Sequence, residues 1–123
     1  RGPFGLDVAR EGLIFAASVP AGTRIVFHRR SSEAALAGAE LTAKALAKRL
    51  AGRTPRVVLG FECAARTAPL LGKDGTLREQ LAVQRLFAPD AEWMGMLAWG
   101  ELAPFGGQAT YYNYTYPLLV LAE

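Results

Sequence analysis

A chain of 123 residues, 51% hydrophobic and 20% charged, has the size and composition of one globular domain. Its net charge of +3 is small and dispersed, so we expect no nucleic-acid partner, and its single cysteine excludes an intrachain disulfide. No apolar run reaches the roughly 18–20 residues that cross a bilayer, so we expect no membrane partner either.

The first ten residues, 1–10, carry no pattern of a secretory signal. We expect them to form a flexible or linking segment at the start of a single domain that occupies residues 1–123. The chain begins with Arg1 and not with methionine, so we expect it to be a piece of a longer protein.

Two apolar runs with a short turn between them come next. "LIFAASV" at 13–19 is typical of a buried strand, and "TRIVFHR" at 23–29 partly alternates between apolar and polar residues. Pro20 and Gly22 are residues that favour a turn. Together these features predict a β-hairpin.

Two later segments carry helical signals. The first has Ser32 as its predicted N-cap, repeats leucine and alanine at helical spacing, and ends at Gly52. The second begins with Thr76 and Glu79, which have the spacing of a capping box, and runs to about Phe87. The capping box by itself accounts for Glu79.

Three further segments are typical of strands: 55–63, 92–101 and 110–122. The last contains Pro117, which indicates an edge position or a bulge. The predicted order is therefore β-β-α-β-α-β-β. We expect an α/β protein of the α+β type, with a single mixed β-sheet of about five strands and two helices packed on that sheet.

The inventory of reactive side chains is short. His28 is the only histidine and Cys63 the only cysteine, and nothing in their spacing indicates a nucleophile paired with a base. One histidine and one cysteine cannot complete a tetrahedral metal shell. "GKDGT" lacks the full pattern of a phosphate-binding loop. We therefore expect no catalytic residues, no metal and no cofactor.

Two carboxylates lie in apolar surroundings. For Glu62 we expect a strand-end position in water or a pair with Arg66. Glu101 lies where a strand opens into a glycine-rich loop, so we expect it to have a functional or loop-organising role. The structural alternative for Glu101 is to accept hydrogen bonds from the backbone N–H groups of residues 106–107.

Asn113 and Thr115 are two residues apart on a predicted strand, so they share one face. The structural interpretation is a cross-strand contact from Asn113 to the loop that carries Glu101. The functional one is that these polar groups hold the carboxylate or amine of a ligand.

In several ordered sequence blocks, from about residue 11 to the end, the chain resembles the C-terminal part of the FIST sensory module, the FIST C domain. "FAASVPAGTRIVF" is similar to the family's opening strands and turn, and "VLGFECAART" to its apolar strand that ends in Cys and Arg. "MGMLAWGELAPFGG" is similar to its Gly-Glu block, and "YYNYTYPLLVL" to its closing strand. The residues at the family's motif positions include Cys63, Arg66, Glu79, Glu101, Asn113 and Thr115.

The resemblance implies a cytoplasmic, bacterial or archaeal signal-input domain that binds small ligands such as amino acids and catalyses no reaction. It also implies two partners, an N-terminal FIST portion and a signalling output domain. We expect Arg66 to pair with a ligand carboxylate through a bidentate fork, Glu101 to pair with its ammonium, and Asn113 to bridge them. The predicted ligand-binding residues are Cys63, Arg66, Glu101, Asn113 and Thr115.

Two other functions stay open from the sequence. One is an enzyme in which Glu101 acts as general base and Cys63 as nucleophile. The other is a structural or interaction domain whose aromatic last strand pairs with a partner, such as the missing N-terminal half.

Overall fold

The computed structural model describes residues 2–123, without the side chain of Phe105. It contains two α-helices, seven strands and one turn of π-helix, Thr67–Leu71. In chain order the helices and strands are β1 (Pro3–Asp7), β2 (Gly12–Phe15), α1 (Ser32–Arg49), β3 (Pro55–Cys63), α2 (Gly72–Gln84), β4 (Glu92–Ala98), β5 (Glu101–Phe105), β6 (Gln108–Tyr112) and β7 (Leu118–Ala122).

The central sheet has three strands in the order β4-β3-β7. β3 is parallel to β4, to which it connects through the π-helical turn and α2, and antiparallel to β7. Both helices contribute to the main hydrophobic core: Ala43 of α1 and Val83 of α2 are buried with Val58 of β3. This core covers one face of the sheet.

The expected α+β class is confirmed, and the number and order of the strands roughly match the prediction. The strands divide among three sheets, however, because β1 pairs with β2 and β5 pairs with β6 in separate two-stranded hairpins. In the β5–β6 hairpin, Gly106 and Gly107 form the turn with φ of 60° and 83°. Two left-handed residues give a turn whose twist suits that of the flanking strands.

The prediction for the N-terminal part was wrong. The supposed flexible segment contains β1, which is the partner of β2, and within residues 2–123 the segment 16–31 contains no strand. The side chain of Asp7 stabilises the turn that joins β1 to β2, because its Oδ1 accepts from the Arg10 N–H at 3.1 Å. Glu11 completes this turn in a left-handed conformation, with φ of 49°. The strand β2 therefore pairs with β1, which precedes it in the chain, and not with residues 23–29.

Both predicted helix starts were displaced. The N-cap of α1 is Ser31, whose Oγ accepts from the Ala34 N–H at 3.2 Å. α2 begins at Gly72, so Thr76 lies inside the helix and donates to the Gly72 carbonyl at 3.0 Å. The capping box is thus absent from the structure, and Glu79 is free for another role.

The last two predicted strands are each interrupted. The segment predicted at 92–101 ends as β4 at Ala98, and β5 begins at Glu101. The predicted strand 110–122 is split into β6 and β7 by residues 113–117, a link in which Tyr114 has a φ of 60°. Pro117 lies in this link, which agrees with the expected irregularity. Over residues 2–123, no helix combines the length and apolar character that a membrane crossing needs.

Candidate functional site

The link 113–117, which carries Asn113 and Thr115, crosses the end of β3 and is hydrogen-bonded to Cys63, Arg66 and Glu101. The Cys63 N–H donates to the Thr115 carbonyl at 3.0 Å, and Arg66 donates to the Tyr114 carbonyl at 3.2 Å. Glu101 accepts from Thr115. These contacts extend the pairing of β3 beyond β7 and place the polar side chains at one end of the central sheet.

Arg66 is almost completely buried, with 7% of its surface exposed. Its Nε donates to Glu79 Oε2 at 3.2 Å, and its Nη2 donates both to Glu79 Oε1 and to the Ala35 carbonyl at 2.8 Å. With the bond from Nη1 to the Tyr114 carbonyl, four of the five guanidinium N–H groups have a partner. The bidentate pairing expected for Arg66 with a ligand is made with Glu79, and these bonds leave one N–H of the guanidinium unused.

Glu101 is 2% exposed and is bonded to Thr115. Its Oε2 accepts from Thr115 Oγ1 at 2.9 Å and from the Thr115 N–H at 3.4 Å. Among the described residues, Oε1 has no hydrogen-bond partner. Glu101 therefore organises the link 113–117, and the alternative in which it binds the N–H groups of residues 106–107 was wrong.

Asn113 does not make the cross-strand contact to Glu101 that the structural interpretation predicted. Its Nδ2 donates to the Tyr111 hydroxyl at 3.1 Å, and its Oδ1 accepts from the Gly2 N–H at 3.3 Å. Asn113 therefore connects the first hairpin to the link, while Thr115 makes the contact with Glu101.

The structure places four of the five predicted residues in two different cavities. Arg66 and Thr115 line a cavity of about 420 Å³, here called the Arg66 cavity, between the N-terminal half of α1 and the link. Tyr112 also lines it, and its buried hydroxyl has no hydrogen-bond partner among the described residues. Cys63 and Asn113 line a smaller cavity of about 220 Å³. Glu101 is a lining residue of neither, within the part of the chain that the structure describes.

A third cavity is lined by Glu62, for which the sequence predicted a position in water or a pair with Arg66. Glu62 is 3% exposed and lines a cavity of about 310 Å³, here called the Glu62 cavity. The expectation of a water-exposed or Arg66-paired carboxylate was wrong, because Arg66 pairs with Glu79. Burial raises the pKa of Glu62 to about 7, and the nearby Glu79 carboxylate contributes to the rise. The period of two along β3, which places Val58 and Glu62 on the same face, could have shown that Glu62 points inward.

Glu79 was also misassigned, since it is 1% exposed and is the ion-pair partner of Arg66. A signal for its burial was present in the sequence. Gly75, Glu79 and Val83 recur at intervals of four residues, and these are the buried residues of α2. A spacing of four places residues on one face of a helix, so Glu79 shares the inward face with Val83.

The comparisons with known proteins give a family and no individual relative. The FIST C domain model matches residues 1–104 of the chain. The match includes the first hairpin and ends within β5, before Asn113 and Thr115. No curated protein and no solved structure matches the chain.

Proposed function

This chain belongs to the FIST C domain family, a family of sensory, ligand-binding domains, and we propose that it is a signal-input domain whose ligand binds in the Arg66 cavity. The proposed ligand is a small molecule with a carboxylate, such as an amino acid. Its binding feeds an output domain of the same signalling protein in the cytoplasm.

One observation carries this proposal: a buried guanidinium and a hydroxyl without a partner line the same cavity. The remaining N–H of Arg66 and the Tyr112 hydroxyl are two hydrogen-bond donors, and a carboxylate offers two oxygens to accept from them. The volume of about 420 Å³ lies within the usual range for small-molecule sites.

The contacts of Arg66 favour a preorganised site. Glu79 and two backbone carbonyls already hold the guanidinium in place, so a ligand would not have to order this side chain on binding. Thr115 supplies the complementary group. Because its hydroxyl proton is donated to Glu101, the lone pairs of Oγ1 are available to accept from a ligand ammonium.

We assign Cys63 and Asn113 to the support of this site. The Cys63 N–H holds the Thr115 carbonyl, and Asn113 joins the link 113–117 to the first hairpin. The location of Cys63 supports binding over catalysis, because Cys63 lines a cavity of which Glu101 is not a described lining residue. A base and a nucleophile that act together need to reach the same substrate.

A second observation favours an interaction with further polypeptide, such as an N-terminal FIST portion. The face of the central sheet opposite the helices carries exposed apolar side chains, among them Met94, Met96, Leu119 and Leu121. The accessible surface is 9034 Å², whereas a compact monomer of this mass exposes about 6,400 Å². An excess of this size fits a domain that packs against a partner.

Calorimetric titration and thermal shift with a panel of the common amino acids test the ligand proposal. We expect at least one of them to bind, and Tyr112→Phe to weaken its binding about tenfold, the effect of losing one buried hydrogen bond. Thr110→Val is the control, because it removes a hydroxyl from the same strand, β6, at a residue that does not line the Arg66 cavity. Absence of binding by every amino acid, or equal loss in both variants, would contradict the proposal.

A further inference from the structure

Two glycines that face each other in the central sheet line the Glu62 cavity. Gly60 of β3 is in register with Gly95 of β4, on the face that α2 covers. A Cβ atom at Gly60 would lie 3.0 Å from the Tyr116 ring, and one at Gly95 would lie 3.1 Å from the Gly60 carbonyl oxygen. A larger residue at either position would therefore displace a neighbour, and both glycines line a space of about 310 Å³ between the sheet and α2.

Among the described residues, the carboxylate in this cavity forms no ion pair. Neither oxygen of Glu62 has a hydrogen-bond partner among the described residues, although the side chain is almost fully buried. Arg66 acts on Glu62 electrostatically, but its bidentate face is on Glu79. When Glu62 is ionised, the group of Glu62, Glu79 and Arg66 therefore carries one uncompensated negative charge, which is costly in a buried position.

The other lining residues suit an organic cation. Trp93 and Tyr116 provide aromatic rings, which attract cations over their faces, and Gln80 and Gln84 provide amide oxygens. Trp93 is held in place by an edge-on contact with Phe87, with 5.6 Å between the ring centroids. A metal ion would need more anionic ligands, and residues 2–123 contain no group of three His, Cys, Asp or Glu residues suited to hold one.

We propose that the Glu62 cavity is a second binding site, which takes the ammonium group of a small organic amine with Glu62 as its counter-ion. The described lining contains no cationic side chain, so the site offers nothing to the carboxylate of an amino acid. It therefore differs in ligand class from the Arg66 cavity. Tyr116 lines both cavities and is the contact between the two sites.

The protonation state of Glu62 gives the site a definite pH dependence. Burial is the main cause that raises the pKa of Glu62 to about 7. The neighbouring Glu79 carboxylate raises this pKa further, whereas Gln80 and Arg66 lower it. The pKa of Tyr116 is raised to about 12, so its hydroxyl stays neutral. An alkylammonium binds the ionised carboxylate. Its affinity therefore increases about tenfold from pH 6 to pH 8, as the ionised fraction rises, and binding near pH 7 releases a proton.

The test uses n-pentylammonium chloride as the probe, with 1-pentanol as the uncharged analogue and L-norleucine as the zwitterionic one. Titration calorimetry at pH 6 and pH 8, in two buffers with different ionisation enthalpies, measures affinity and proton release. We expect n-pentylammonium to bind more tightly at pH 8 and to release a proton near pH 7. We expect 1-pentanol, L-norleucine and potassium chloride to have little effect at this site.

Glu62→Gln tests the role of the carboxylate with the same side-chain shape and is expected to abolish the binding of n-pentylammonium. Glu92→Gln removes an exposed carboxylate from the same sheet and is expected to leave binding unchanged. Three results would overturn the proposal. n-Pentylammonium could bind Glu62→Gln as tightly as the wild type, potassium chloride could have the same effect as n-pentylammonium chloride, or the wild type could fail to bind n-pentylammonium at pH 8. The Tyr112→Phe variant of the Arg66 cavity should retain n-pentylammonium binding, which separates failure of this site from failure of the other.

Discussion

Arg66 and Glu79, thirteen residues apart, form a buried ion pair that joins the end of β3 to the middle of α2. The same guanidinium bonds the carbonyls of Ala35 in α1 and Tyr114 in the link 113–117. One side chain thus connects both helices, the central sheet and the link that lines the Arg66 cavity.

We expect loss of either partner of this pair to destabilise the fold strongly. Glu79→Gln should lower the free energy of unfolding by about 3–5 kcal/mol, because it leaves a buried guanidinium without its counter-ion. Urea denaturation measures the change. The double variant Arg66→Met with Glu79→Leu should be more stable than Glu79→Gln, since no buried guanidinium is left without its counter-ion. A loss below about 1 kcal/mol for Glu79→Gln, as at a solvent-exposed pair, would contradict the assignment.

Thr115 should stabilise the link through its hydroxyl group. Thr115→Val keeps the shape of the side chain but removes the 2.9 Å bond to Glu101. The variant should lose about 1–3 kcal/mol of stability, because a buried carboxylate oxygen loses its best donor. Thr115→Ser retains the hydroxyl and is expected to lose less. Urea midpoints of the two variants decide the matter, and equal losses would show that the methyl group, not the hydroxyl, is the important part.

Glu62 should make the stability of the protein depend on pH. Its pKa is raised by burial from 4.5 in the unfolded chain to about 7 in the folded chain, so the folded state binds more protons between these values. Stability therefore falls as the pH rises through this window, by about 2–3 kcal/mol between pH 5 and pH 8. In Glu62→Gln this part of the pH dependence should disappear, whereas the exposed-site control Glu92→Gln should keep it. Urea unfolding across this pH range is the measurement, and parallel profiles for the wild type and Glu62→Gln would refute the prediction.

Cys63 should be unreactive in the folded protein. The residue is 2% exposed at the end of β3, and its backbone N–H is bonded to the link 113–117. A thiol reagent such as Ellman's reagent should modify it only after unfolding, because the thiol is inaccessible in the native state. The rate of modification in native buffer, compared with that in 6–8 M urea (about the range that unfolds most domains), measures this. Rapid modification of the native protein would contradict this prediction and would favour the alternative in which Cys63 is a nucleophile.

The sequence by itself determined the local elements of this protein. The helix α1, the strand β3 and the glycine turn at residues 106–107 each follow from local sequence, that is, from residue spacing or turn chemistry inside the element itself. The α+β class follows from the order of such elements. The motif blocks also identified the family, because their order and spacing are properties of the chain itself.

The tertiary structure decided which elements pair and which charges meet. β2 pairs with β1 and not with residues 23–29. The turn that joins β1 to β2, stabilised by the Asp7 side chain, sets this pairing and its register. Arg66 pairs with Glu79, and Glu62 forms no ion pair among the described residues, because α2 packs across β3 at the point where all three side chains enter the interior. Such contacts join residues that are distant in the chain, and local spacing carries no information about which of several carboxylates a buried guanidinium will reach.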